Sequence, residues 1–283
     1  MDCAENMGKN IKSEVIAVII ARNEEKNIAE TISSLKQQTF SINKIIVVND
    51  GSIDKTGKIA REMGCIIVDL PYHEESFVGR PELAERWNAG LRIAEKYNPD
   101  YILILGADHV LPEDYVEQII RRMEANSKLV VASGHIKGEP YSEFSPRGSG
   151  RIIKVSWLKK EFGSLSFPVC WGWEAYILLR ALKSGYEVKC FHEIESETRR
   201  HTGLNKAEYW GKAMYALGYD WKYALGRCLL TFFKSPKAGL RMFWGWVRHK
   251  DVERTDIAEW VNRMQKREFW RRAWRVVKHA GRR

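Results

Sequence analysis

The sequence predicts an α/β protein: a mainly parallel sheet flanked by helices and followed by a helical C-terminal extension. Three observations carry that expectation. Short apolar runs rich in β-branched residues alternate with segments of helical period through the first two-thirds of the chain. Several of those runs stop abruptly at Asn, Asp or Gly, as in "IIVVNDG" and "YILILGAD". The charge is also divided unevenly. Of 46 Lys+Arg and 36 Asp+Glu in 283 residues, 21 and 7 lie from Arg199 onward, with seven of the eleven tryptophans. Strand–helix alternation builds a parallel sheet covered on both faces. A basic, Trp-rich stretch after it points to a region with a different partner.

Taken in order, residues 15–21 read as a first strand. "RNEEKNIAETISSLKQQT" then gives a loop and a helix with Ile28, Ile32 and Leu35 on one face. The stretch 44–60, "KIIVVNDGSIDKTGKIA", opens with a run suited to burial on both faces of a sheet. Gly51 can take the positive φ of a tight turn, and Ser52 or Asp54 can cap the helix that follows. Residues 65–70 predict a third strand, 71–81 a loop, "ELAERWNAGLRIAEKY" a helix and "DYILILGADHVL" a further buried strand. The segment "VVASGHIKGEPYSEFSPRGSGR", dense in Gly, Pro and Ser, is expected to loop around the sheet edge. "GWEAYILLRALKSGYEV" reads as a helix closed by Gly185 with a strand after it. Beyond residue 205 the pattern is helical, which places the expected domains at 1–205 and 206–283.

Composition narrows the class. An apolar content of 45% with 29% charged residues describes a folded protein. The start, "MDCAENMGKNIKSE", shows no secretory signal, and no apolar run approaches the roughly 18–20 residues of a membrane-spanning helix. The five cysteines have no CxxC spacing, so reduced thiols in the cytoplasm are expected and a zinc site is not.

Two carboxylates stand where chemistry is usually found. Asp50 and Asp108 each close a buried strand, and open α/β sheets bind ligands beyond the carboxyl ends of their strands. An acid there can hold Mg²⁺ or Mn²⁺ while phosphate oxygens fill the metal's other positions. The simpler alternative is that each acid only caps the turn after its strand.

"VIIARNEEKNI", "VVNDGSIDKT", "ERWNAGL", "LGADHVLPEDY" and "GWEAYILLRALKSGYEV" resemble, in order and spacing, the family 2 glycosyltransferases, over about residues 13 to 205. The resemblance implies the GT-A fold, with its Rossmann-like sheet. It also implies inverting transfer of a sugar from a nucleotide-diphosphate donor, UDP- or GDP-linked, with a divalent metal (Mg²⁺ or Mn²⁺) as cofactor. By the same resemblance Arg22, Asn23 and Glu24 border the nucleotide and Asp50 contacts base or ribose. Asn88 belongs to the Asn-x-Gly of the third helix, with Arg86 beside it to reach a phosphate. Asp108 is the metal ligand, Glu174 the acid at the acceptor side, and "RRHTG" a loop whose Arg200 and His201 close over the diphosphate, with His109 or His201 assisting the metal. Trp171 and Trp173 precede Glu174 and either offer an indole to an acceptor sugar or belong to the core, where tryptophan is at least as common. Three positions depart from the family pattern: Ile20 stands for a proline, Gly106 for the first acid of Asp-x-Asp, and Ala175 for the usual base of Glu-Asp. The acceptor is then either a hydroxyl, with Glu174 as base, or an already ionised phosphate that needs none. A degenerate domain that binds a membrane or partner without catalysis is the alternative.

The tail carries "SPKAGLRMFWGWVRHK" and "EFWRRAWRVVKHAGRR". In the second, Phe269, Trp270, Trp274 and Val277 share one helical face with Arg and Lys beside it, which suits a helix lying in an anionic membrane surface. Packing on the catalytic domain with the cations in water is the other reading. These features predict a lipid-linked or cell-envelope glycan acceptor and a cytoplasmic protein, peripheral on the inner face of the cell membrane. No recognised RNA- or DNA-binding motif accompanies the basic residues, so nucleic acid is not an expected partner.

Overall fold

A computed structural model of the chain describes residues 13–200, 203–249 and 251–268. Contacts gather the chain into two compact units, neither continuous in sequence. One holds Met1–His73, Arg86–Ser166 and Tyr186–Arg200; the other holds Glu74–Glu85, Phe167–Gly185 and His201–Arg283.

The first unit is built on a mixed sheet. Its strands are β1 (Val15–Ala21), β2 (Lys44–Asp50), β3 (Ile66–Leu70), β4 (Tyr101–Gly106), β5 (His109–Val110), β6 (Leu129–Ile136), β7 (Arg151–Lys154) and β8 (Glu187–Thr198). Their spatial order is β3-β2-β1-β4-β7-β6-β8-β5. β3, β2, β1 and β4 run parallel, as do β6 and β8, whereas β7 is antiparallel to both of its neighbours and β5 to β8. Val15, Val18, Ile46, Val48, Leu103 and Ile104 are sealed from water, as expected for strands covered on both faces. Helices α1 (Ile28–Lys36), α2 (Thr56–Glu62), α3 (Glu82–Glu95) and α4 (Tyr115–Ala125) connect the parallel strands and lead into β6. α5 (Val155–Phe162) follows β7. Gly90 lets α3 lie close on the sheet, since a Cβ there would stand 2.6 Å from Val18 Cγ1 and 2.7 Å from Val48 Cγ2.

One expectation fails here. Residues 129–136 do not loop around the sheet edge; they form β6, buried along its whole length between β7 and β8. Gly134, which reads as a turn former, is needed because a Cβ would strike the Ile194 carbonyl oxygen. The Gly134 N–H donates to Tyr115 Oη at 2.7 Å, and that hydroxyl donates to the Gly150 carbonyl at 2.7 Å.

The second unit is helical among its described residues. α6 (Trp173–Lys183) is followed by a 3₁₀ turn (Leu204–Lys206), α7 (Ala207–Ala216), α8 (Trp221–Lys234), α9 (Pro236–Val247) and a helical stretch over 258–268. Asp220 caps α8 by accepting the Lys222 N–H, and Ser235 caps α9, whose first position is Pro236. Tyr176 Oη donates to Asp256 Oδ1 at 2.6 Å, and Arg180 pairs with the same carboxylate at 2.5 Å. α7, α8 and α9 pack around Ala207, Met214, Ala224, Cys228, Ala238 and Met242. Their backbones approach closely at glycines. A Cβ on Gly211 would strike the Met242 carbonyl oxygen, one on Gly245 the Glu208 carbonyl oxygen, and one on Gly239 would lie 2.5 Å from Phe232 Cα. The predicted apolar face at Phe269, Trp270, Trp274 and Val277 lies outside the described residues.

Candidate active site

β1 has β2 and β3 on one side and β4 on the other, so the strand order reverses beside it. Beyond the carboxyl ends of strands at such a reversal an open sheet leaves a crevice for ligands. Three of the predicted groups come together there: residues 22–24 after β1, Asp50 at the end of β2, and Asp108 after β4.

Asp50 is buried, and its Oδ1 lies 3.1 Å from His73 Nε2 and 3.5 Å from Arg86 Nε. The Arg22 guanidinium donates to the His73 carbonyl. His73 is therefore a member of the cluster that sequence reasoning missed; its only signal is a lone histidine in the loop after β3. Gly51, just past Asp50, holds φ +65 with its α-carbon so close to the next loop that a Cβ would stand 2.8 Å from the Pro71 carbonyl oxygen. That turn presses the 71–73 loop toward Asp50.

Glu24 is also buried. Its N–H donates to Thr56 Oγ1 at 2.7 Å, and its carboxylate accepts from Asn27 Nδ2 at 2.7 Å and pairs with Arg200. Asn23 takes φ 56 and ties two loops: its N–H donates to Ser52 Oγ at 3.0 Å and its Oδ1 accepts the Ile53 N–H at 3.0 Å. Asn88 is buried in α3. Asp108 Oδ2 lies 3.1 Å from Arg200 Nε, so one guanidinium spans Glu24 and Asp108. Burial pushes the Asp108 carboxyl above the usual carboxylate range. Arg200 is 65% exposed, so it remains largely hydrated and is a weak competitor for either acid.

Gly106 lies against Asp108 and Ser149. The Gly106 N–H donates to Ser149 Oγ at 2.8 Å, and a Cβ at Gly106 would lie 3.1 Å from Asp108 Oδ1. Ser149 also meets His109 Nδ1 at 2.6 Å, and His109 Nε2 meets Ser196 Oγ at 2.8 Å. Both ring nitrogens of His109 are thus engaged on a fully buried ring whose pKa burial lowers to about 4. His109 is a structural tie, and the expectation that it could join Asp108 on a metal is corrected. His201 lies outside the described residues.

Among the described residues no group of three or more His, Cys, Asp or Glu side chains could hold a metal ion. The donor that remains, one desolvated carboxylate, still fits Mg²⁺ or Mn²⁺, which bind through one or two carboxylates and complete their shell with phosphates and water.

The acceptor-side residues fall in the second unit. Glu174 is exposed in the first turn of α6. Trp171 is half-buried beside Tyr209, with Lys212 Nζ 4.9 Å above its ring. Trp173 is 3% exposed and stacks on Phe167 at 5.2 Å, so it is a core side chain and not a platform for a sugar.

An open α/β sheet with acids gathered at the strand ends of its reversal belongs to the class of folds that bind ligands at that edge. The sequence model of the family described as "Glycosyl transferase family 2" matches residues 16–180, and the chain belongs to that family. Its fold is the GT-A fold of that family's solved structures. The 4,4'-diaponeurosporenoate glycosyltransferase of Staphylococcus haemolyticus is 30% identical over 138 residues, 47% of this chain and 36% of that protein. The chain spans less than half the length of the first curated relatives it matches. Among solved structures, the mannosyltransferase PcManGT of Pyrobaculum calidifontis, in complex with GDP-Man and Mn²⁺, superposes with a TM-score of 0.58 at 15% identity, covering 73% of this chain and 63% of that one. Staphylococcus aureus TarS 1–349, in complex with UDP-GlcNAc, gives 0.52 at 16% identity, covering 71% and 65%.

Proposed function

We propose that this glycosyltransferase moves a sugar, with inversion, from a UDP- or GDP-sugar to a lipid-linked or cell-envelope glycan, assisted by Mg²⁺ or Mn²⁺, at the cytoplasmic face of a membrane. The observation that carries the reading is the Arg200 guanidinium held between Glu24 and Asp108 at the strand ends. A buried acid and a half-buried one that share a largely exposed guanidinium are prepared to exchange it for a metal-bound diphosphate.

In this reading Asp50 and Glu24 orient the nucleoside, with Arg22 and Asn23 fixing the loops around it. His73 holds the Asp50 carboxylate in place, while Arg86 and Asn88 supply donors toward the phosphates. A divalent cation bound through Asp108, with His201 as a further ligand, would neutralise charge on the diphosphate as it leaves. Arg200 swings from its carboxylates to the diphosphate and adds paired charge-assisted hydrogen bonds. Glu174 takes the proton of an acceptor hydroxyl as its oxygen bonds to the anomeric carbon and the bond to the diphosphate breaks. Trp171 lines the acceptor. The basic C-terminal helices hold the enzyme at the membrane.

Calorimetric titration of UDP, GDP and their sugar conjugates, with Mn²⁺ and with EDTA, tests the donor side. One nucleotide should bind in a metal-dependent manner, and Asp108→Ala should abolish both that dependence and transfer. Undiminished activity in Asp108→Ala would refute the assignment. Glu174→Gln separates the acceptors: loss of turnover with donor binding intact marks a hydroxyl acceptor, and full turnover marks a phosphate.

A further inference from the structure

The α8–α9 hairpin turns the usual arrangement of a helical core inside out. Its interior is made of small or flexible side chains, Ala224, Cys228, Ala238 and Met242, with glycines at the backbone contacts. Phe243 and Trp246 pack partly buried against that interior, but a second set of large apolar side chains points outward. Leu229, Leu230 and Phe233 lie along α8, with Leu230 68% and Phe233 82% exposed. Leu240, Trp244 and Val247 follow on α9 at the spacing of one helical face, and all three are exposed. The buried residues Ala238, Met242 and Gly245 occupy the opposite face of that helix. A water-soluble helix normally buries its leucines and phenylalanines and leaves its small residues free to vary.

Charge says what covers this surface. Residues 221–249 contain six Lys and Arg and no Asp or Glu. Lys234 and Lys237 flank the Ser235–Pro236 turn at the tip, and Arg248 lies with its guanidinium 4.7 Å from the Trp244 ring centre. A second protein surface would be expected to meet some acids with its own bases. A surface of uniformly negative headgroups over hydrocarbon asks for cations around a band of Leu, Phe and Trp, and for nothing else. No helix among the described residues is long and apolar enough to cross a bilayer.

We infer that the α8–α9 hairpin is an interfacial anchor that seats Leu230, Phe233, Leu240 and Trp244 among the headgroups and upper acyl chains of an anionic bilayer. This deepens the membrane partner of the proposed function by assigning it to a particular surface, and its observations are independent of the nucleotide site.

The full chain is tested by co-flotation with vesicles of phosphatidylcholine alone and with 30% phosphatidylglycerol (a probe composition, roughly that of an anionic leaflet). Anionic vesicles should carry the protein and neutral ones should carry at least tenfold less. Leu230→Ser with Phe233→Ser should lower binding to anionic vesicles at least tenfold, and Lys234→Glu with Lys237→Glu should do so in a way that high salt mimics. The same samples are titrated with nucleotide, so a variant that loses vesicles but keeps nucleotide binding separates this inference from the donor assignment. Full vesicle binding by the Leu230→Ser, Phe233→Ser protein would overturn it. So would light scattering that shows a dimer broken by those two changes, or equal capture by an oligonucleotide at the same salt.

Discussion

In the α/β unit the side chains sealed from water are large: Leu103, Ile104, Ile119 and Tyr115 are all buried. In the α7–α9 group they are mostly small, Ala207, Ala224, Cys228 and Ala238 with Met214 and Met242, and Trp210, Phe243 and Trp246 pack partly buried against them, while Leu230 and Phe233 stand in solvent. The two regions are therefore held together by different physics. The sheet is stabilised by apolar area removed from water, about 25 cal/mol per Å². The hairpin gains from close backbone approach, where glycine and alanine let helices make dense van der Waals contact. A region built in the second way can leave large hydrophobic side chains such as Leu230 and Phe233 for something outside itself.

Substitutions with opposite expected outcomes in the two regions would break or sharpen that contrast. The largest effect is expected in the sheet, where Leu103→Ala should cost about 3–5 kcal/mol in chemical denaturation. A loss under 1 kcal/mol would mean that β4 is not packed on both faces. In the hairpin, adding atoms should be the damaging direction. Gly245→Val drives a side chain at the Glu208 carbonyl and should cost about 2–3 kcal/mol, read as a lower thermal midpoint. An unchanged midpoint would remove the case for close helix contact. Back in the first unit, His109→Ala strips the shared partner from Ser149 and Ser196 and should cost about 1–3 kcal/mol. His109→Asn should recover part of that if hydrogen bonding is the cause. The smallest effect is predicted for Phe233→Ser, within about 0.5 kcal/mol in buffer without lipid. A larger fall would show that Phe233 packs against the protein.

Much of the fold was legible because burial on both faces writes itself into sequence as unbroken β-branched runs, and β1, β2 and β4 were read that way. β6 was not, because Ser133, Gly134 and His135 look like a turn. Their small size or polarity answers to Tyr115, Ile194 and the neighbouring strands, which local sequence does not reveal. The strand-end acids Asp50 and Asp108 were readable for the same reason as the strands. His73 was not, because it reaches Asp50 only once the loop folds back; Arg200 was named from its loop, but its pairing with Glu24 and Asp108 from the far end of β8 was not. Trp173 was misassigned because an indole before an acid looks the same whether it faces solvent or Phe167.

The discontinuity of the helical unit has a consequence for how the chain is made. Glu74–Glu85 and Phe167–Gly185 emerge from the ribosome well before residues 201–268, with which they form one compact body. At roughly 5–20 residues per second, the first of these segments waits on the order of 10–40 s for its partners to be translated. During that interval Trp173 and Tyr176 have no completed core to enter. A nascent chain stalled after residue 205 should therefore engage chaperones through 167–185, and a protein cut at that point should aggregate through the same segment.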